Sequence, residues 1–164
     1  MIEHMLVPLD GSSLAECVLP HTVAVGKAYD AQVTLLRAVV REPSPGSSAV
    51  DPLSWHMRKS EARAYLDNVA ERLRDAGLRV DTVLEEGKPA QRIIGYSREA
   101  DVGLIVISSH GKSGLSRWNI NSVVQKVILE AYAPSMIVRA YRSEPEELTE
   151  LRYRKVLVPL DGSQ

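Results

Sequence analysis

The chain reads as an alternation of short, wholly apolar runs with longer runs of helical period. Met5-Leu6-Val7-Pro8-Leu9 is apolar throughout and is cut off by Asp10-Gly11-Ser12, which predicts a strand buried on both faces and closed by a turn. Ser13-x-x-Glu16 has the form of a capping box and predicts a helix from Leu14 to Tyr29, with Leu14, Val18, Leu19, Thr22, Val25 and Ala28 inward. Pro20 lies inside that span and predicts a bend or a shifted start. A second strand covers Ala31 to Val40. Its Arg37 is the odd residue, reaching a carboxylate near the strand's end or projecting from an edge. Residues 41 to 48, rich in Pro, Ser and Gly, predict a loop.

Helical period returns from Pro52 to Ala76, with Leu53, Met57, Ala64, Leu66, Val69, Ala70 and Leu73 as its inward stripe and Gly77 as its stop. Arg79 to Glu85 alternates polar and apolar, the pattern of an edge strand. Gly87-Lys88-Pro89 starts a helix with Pro in its first turn, and Ile93, Ile94 and Tyr96 form its apolar side. Val102 to Ile107 is the fourth strand. After a loop from Ser108, a helix begins at Asn121-Ser122 with Val123, Val124, Val127 and Ile128 inward and runs to Tyr132; Pro134 to Ala140 is the fifth strand. Strands alternating with helices predict an open, right-handed, doubly wound α/β sheet of Rossmann-like type, with helices on both faces. Ligands of such sheets sit beyond the strands' C-terminal ends, where the strand order reverses. The two loops of unusual composition, Pro8 to Ser12 and Ser108 to Asn121, meet there only if the first and fourth strands are neighbours, as in the order 3-2-1-4-5.

Composition narrows the classes. With 20 Lys and Arg against 21 Asp and Glu, the net charge of -1 recommends neither nucleic acid nor an acidic membrane as partner. No apolar run approaches the roughly 18 residues of a membrane helix, and Met1 to Leu9 is too short and charged for a signal peptide. The single Cys17, in an apolar helical context, predicts a buried thiol in a reducing, cytoplasmic setting. The absence of Phe leaves Val, Ile, Leu and Ala to build the core, which suits a parallel sheet covered on both sides.

The first strand recurs. Leu6-Val7-Pro8-Leu9-Asp10-Gly11-Ser12 returns as Leu157-Val158-Pro159-Leu160-Asp161-Gly162-Ser163, 151 positions on. This predicts one α/β module over 1–141, a polar linker over 142–154 containing Ser143-Glu144-Pro145-Glu146-Glu147, and the first strand of a second, truncated module over 155–164.

Val-Pro-Leu-Asp-Gly-Ser in the first strand, Glu86-Gly87-Lys88-Pro89, and Ser109-His110-Gly111-Lys112-Ser113-Gly114-Leu115-Ser116-Arg117-Trp118 together resemble the universal stress protein family over residues 1 to 141. The resemblance implies a five-stranded parallel sheet, homodimers or tandem pairs joined through the last strand, and, in one subset, bound ATP or AMP. That subset carries Gly-x-x-Gly, nine residues, then Gly-Ser/Thr. Here the spacing is kept, with Ser108 at the first glycine, Gly111 at the second and Asn121-Ser122 closing the motif. Carried over, Pro8, Leu9, Asp10, Ala38 and Val39 line the base and ribose, with Asp10 facing a ribose hydroxyl or a metal-bound water, magnesium being the metal. Ile107, Ser108, His110, Gly111 and Gly114 border the ribose and first phosphate, and Asn121, Ser122 and Val123 offer N–H groups to the phosphates. Asn121 also tolerates a left-handed backbone and caps helices. Lys112 and Arg117 are outer cations or solvated loop charges; Asp10 reads equally as a turn former before Gly11, and His110 as a brace for its loop.

Three functions compete at this point: a regulatory module that binds an adenine nucleotide, a nucleotide-free protein acting through its dimer surface, and a slow ATP hydrolase. No nucleophile, base and orienting residue line up, so no catalytic residue is assigned.

Overall fold

The computed structural model describes residues 2–41, 51–111, 121–140, 148, 151–160 and 162. The Pro/Ser/Gly loop beyond residue 41, the segment 112–120 with Lys112, Gly114 and Arg117, and the linker residues Ser143 to Glu147 lie outside the described residues. Five strands, β1 (His4–Pro8), β2 (Gln32–Val39), β3 (Arg79–Glu86), β4 (Leu104–Ser108) and β5 (Ser135–Val138), alternate with four helices, α1 (Leu19–Tyr29), α2 (Pro52–Asp75), α3 (Pro89–Glu99) and α4 (Ser122–Glu130). The sheet is parallel, in the order β3-β2-β1-β4-β5 expected from the loops.

Both faces are covered, which is why the strands read as unbroken apolar runs. Period-two alternation sends Met5, Val7, Val33 and Leu35 to the face packed by Leu19 of α1 and Leu66, Val69 and Leu73 of α2. Leu6, Leu36, Ile105 and Ile107 go to the other face, against Ile93 of α3 and Val124 and Val127 of α4. β1 is the central strand. It pairs with β2 from His4↔Gln32 to Pro8↔Leu36, and with β4 only at Met5↔Leu104 and Leu6↔Ile105. Beyond those two pairs β1 and β4 part, and the sheet opens where its order reverses.

Several local expectations are corrected. The capping box at Ser13 and Glu16 does not form: Asp10 Oδ1 accepts from the Ser12 N–H at 2.9 Å and the Ser12 hydroxyl at 2.6 Å, and Ser12 Oγ accepts from the Ala15 N–H at 3.2 Å. The turn thus closes one residue early, and Glu16 instead meets Arg72 of α2 at 2.7 Å. A 3-10 turn, Ala15–Val18, precedes α1. Pro20 then sits in the first turn of α1, where its missing N–H costs nothing, so the shifted start is the outcome. In α1, Ala28 is exposed and Val23 and Gly26 are buried instead. In α2 the inward stripe is Trp55, Ala62, Leu66, Val69, Ala70 and Leu73; Leu53, Met57 and Ala64 face out. Ile128 of α4 is exposed, and that helix ends at Glu130 rather than Tyr132. Arg37 is on no edge, since β2 lies between β3 and β1; its guanidinium stacks over Tyr65, 5.1 Å from the ring centroid.

Candidate functional site

The opening at the C-terminal ends of β1, β2 and β4 is a cavity of about 560 Å³. Pro8, Leu9 and Asp10 form one wall, Ala38 and Val39 a second, and Ile107, Ser108, His110 and Gly111 a third. Asn121 and Val123 reach it from the start of α4. Ser122 is exposed on the first turn of α4 and does not line the cavity, while Gly114 lies outside the described residues.

The two loops are in intimate contact. A Cβ added to Gly111 would fall well inside van der Waals distance of Asp10 Oδ2. Gly11 is constrained in the same way: its φ of +85° is left-handed, and a Cβ there would stand 2.9 Å from the Arg37 guanidinium. Asp10 therefore has one oxygen closing its own turn and the other directed at the β4 loop. Among the described residues no group of three His, Cys, Asp or Glu side chains converges to hold a metal.

The Ser108 hydroxyl is engaged within the fold by its own hydrogen bonds. Its hydroxyl donates to the Leu14 carbonyl at 3.0 Å and accepts from the Cys17 thiol and from the His110 N–H, both at 3.3 Å. Cys17 is buried, as its context predicted. Ser109 braces the loop: its N–H donates to the Val138 carbonyl at 2.8 Å, its carbonyl accepts from the Asn121 N–H at 3.2 Å, and its hydroxyl shares a 2.8 Å bond with His110 Nδ1. The end of β4 is thereby tied to both β5 and α4.

Asn121 caps α4, its Oδ1 accepting from the Val123 N–H at 2.9 Å. Its backbone is not left-handed; φ is -53°. That cap engages the Val123 N–H, and the bond to Ser109 engages the Asn121 N–H, so two of the three N–H groups expected to face a phosphate have internal partners.

Sequence reasoning missed the fourth wall, made by Arg37, Trp55, Arg58 and Glu61. Asp51 caps α2 by accepting from the Ser54 N–H at 2.9 Å, and the hydrogen bonds from Ser54, side chain first, hold its carboxyl below the usual range. This fixes the first turns of α2 over the cavity. Arg58 and Lys59 stand over the Trp55 ring at 5.5 and 5.3 Å. Lys59 also bonds Glu86 at the end of β3, at 2.9 Å, and this bond lowers the Glu86 pKa. A tryptophan followed at three and four residues by cations was the available signal.

These features define a class: a doubly wound parallel α/β module whose crevice lies at the switch point between β1 and β4. The comparisons make the class specific. The universal stress protein family model matches residues 1–139, and the chain belongs to that family. Universal stress protein YxiE of Bacillus subtilis is 30% identical over 149 residues, covering 85% of this chain and all of that protein. Universal stress protein MJ0531 of Methanocaldococcus jannaschii is 28% identical over 148 residues, with 88% of this chain and 86% of that protein covered. The solved structure of MJ0577 superposes with a TM-score of 0.78 at 26% identity, over 87% of this chain and 99% of that one.

Proposed function

We propose that this chain is a stress-response regulatory module that binds an adenine nucleotide, AMP or ATP, in the crevice between the β1 and β4 loops. The observation that carries the reading is the meeting of Asp10 with Gly111 at the mouth of the cavity. A carboxylate and a glycine whose missing side chain leaves it room suit a ribose hydroxyl beside a closely approached backbone. Proteins of this fold have been solved in complex with cAMP, with dAMP (from Archaeoglobus fulgidus) and with AMP (from Arabidopsis thaliana). In this reading Pro8, Ala38, Val39 and Ile107 pack the base, Asp10 takes a ribose hydroxyl or a magnesium-bound water, and the start of α4 faces the phosphates with its positive end. The site works as a binding site in a cytoplasmic protein, with two copies or two tandem modules joined through β5.

The test is mass spectrometry of small molecules released from purified protein, with calorimetric titration of AMP and of ATP with magnesium. Recovery of an adenine nucleotide or saturable heat is expected. A folded sample that releases nothing and gives no heat at millimolar nucleotide overturns the reading.

One observation favours the nucleotide-free alternative. The engaged N–H groups of Asn121 and Val123 leave a weaker anion site than three converging donors provide. On that reading the protein acts through the apolar surface around β5, where Leu129, Tyr132 and Ile137 are exposed. A stable dimer unaffected by nucleotide is its signature.

A further inference from the structure

Arg37 is a half-buried cation in the wall of the crevice. It follows Leu36, the register partner of Pro8, and so stands beside the turn that carries Asp10. Its guanidinium is held from two directions. The Tyr65 ring centroid lies 5.1 Å away. Gly11 lies over its plane: the place of a Gly11 Cβ is 2.9 Å from Cζ, Nη1 and Nη2 alike, so the group is seated in the space that the missing side chain leaves. Neither contact supplies an acceptor lone pair, and a guanidinium has five N–H donors to satisfy. Among the described residues no carboxylate or carbonyl takes one of them, the cavity acids Asp10 and Glu61 included.

The mouth of the cavity follows the order of the sheet. Arg37 to Val39 end β2, Pro8 to Asp10 follow at the end of β1, Ile107 to Gly111 at the end of β4, and Asn121 at the start of α4. Asp10 therefore stands between two positions that favour an anion, the helix start on one side and the guanidinium on the other. At the helix start the Asn121 and Val123 N–H groups are engaged within the fold. At Arg37 no internal bond has to break.

We propose that Arg37 is a second anion subsite of the crevice, and that the ligand is an adenine nucleotide phosphorylated on the 2′ or 3′ oxygen of its ribose as well as on the 5′ oxygen. The inference rests on the nucleotide reading given above and names the ligand class within it. A ribose held at Asp10 with its 5′ carbon toward α4 turns its 2′ and 3′ oxygens toward the ends of β1 and β2. One of these oxygens is a hydroxyl that donates to Asp10. A phosphate on the other meets Arg37, whose planar fork offers it two parallel N–H donors. Dinucleotide-binding sheets divide the work in the same way, an acid taking a free ribose hydroxyl and a nearby arginine accommodating a ribose phosphate. Arg58 and Glu61 bring opposite charges to the same wall, so Arg37 sets its net sign.

The test is calorimetric titration of the full chain with AMP, with ADP, and with adenosine 3′,5′-bisphosphate and 2′,5′-bisphosphate. ADP carries the same two phosphates as the bisphosphates, both on the 5′ oxygen. One bisphosphate is expected to bind about tenfold or more tighter than AMP, the usual worth of hydrogen bonds to a charged group. Arg37→Gln is expected to remove that advantage and leave AMP and ADP unchanged. Arg37→Lys, which keeps the charge without the fork, is expected to retain a smaller advantage and decides the matter if Arg37→Gln does not fold. If neither bisphosphate binds the parent better than AMP does, or if Arg37→Gln weakens ADP as much as the bisphosphate, the subsite is overturned and the nucleotide reading stands. A lowered melting temperature with the parent's order of affinities kept would make Arg37 a packing partner of Tyr65 alone and would also overturn the subsite. If neither AMP nor a bisphosphate binds the folded parent, the nucleotide reading falls and the subsite falls with it.

Discussion

At the scale of single residues, the site rests on close approaches that a methyl group would break. Gly111→Ala sets a Cβ against Asp10 Oδ2, and the Asp10 carboxylate must turn, straining its bonds to Ser12, or the loops must shift. Overpacking of this kind costs about 1–3 kcal/mol, so urea denaturation is expected to show a loss in that range, and calorimetry is expected to show at least a tenfold weaker AMP titration. Tyr65 supplies a second, independent expectation. Its hydroxyl is buried without a hydrogen-bond partner of good geometry, and burial first, then the charge of Glu16, pushes the phenol pKa up. A raised phenol pKa means that the folded protein keeps a proton the unfolded chain releases above about pH 10. Stability therefore falls as pH rises past the unfolded value, by about 1.4 kcal/mol per pH unit for one proton. Tyr65→Phe is expected to remove that part of the alkaline slope while leaving neutral stability unchanged or raised by about 1 kcal/mol. Paired denaturation curves between neutral pH and pH 11 check both statements; parallel alkaline slopes in the two proteins would contradict them.

At the scale of elements, the strands and their order were legible because a parallel sheet covered on both faces leaves an unmistakable pattern: Met5 to Leu9 and Leu104 to Ile107 are apolar on both faces, and Arg79 to Glu86 alternates because β3 is an edge. The helices were legible in extent and less so in phase. In α2 two apolar stripes compete, one through Leu53 and Met57 and one through Trp55 and Ala62. Periodicity cannot rank them, because the choice is made by where the helix meets the sheet. The first turns overhang the strand ends, so Trp55 turns inward to become a wall of the cavity while Leu53 and Met57 face solvent. The capping box failed for a related reason, since the Asp10–Ser12 turn is a tertiary device of the site that fixes where the next helix can begin. Trp55→Ala is expected to cost about 3 kcal/mol by the usual penalty for emptying a large aromatic site. The Lys59 bond to Glu86 remains to anchor the helix start, and a thermal melt at pH 7 reads the loss.

At the scale of the whole molecule, the crevice is the one place where the two halves of the sheet are joined by few bonds. β1, β2 and β3 form one half and β4 and β5 the other, and only two residue pairs connect β1 with β4 before the strands part. A ligand in the cavity touches both halves, Pro8 to Asp10 on one side and Ile107 to Gly111 on the other, so it replaces the missing ladder with contacts of its own. The consequence is a linkage that separates binding in the crevice from binding elsewhere. A ligand at 100 times its dissociation constant stabilises the folded state by about 2.7 kcal/mol, which for a domain of this size raises the melting temperature by about 5–10 °C. With AMP at that excess, hydrogen exchange is expected to slow on both sides of the divide: in the Gly11-Ser12 turn, whose geometry depends on Asp10, and at the start of α4, which Ser109 ties to the β4 loop. Gly111→Ala, with its Cβ set against the Asp10 carboxylate, is expected to lose both the thermal shift and the paired protection. Protection confined to one half, with the thermal shift retained in Gly111→Ala, would place the nucleotide outside the crevice.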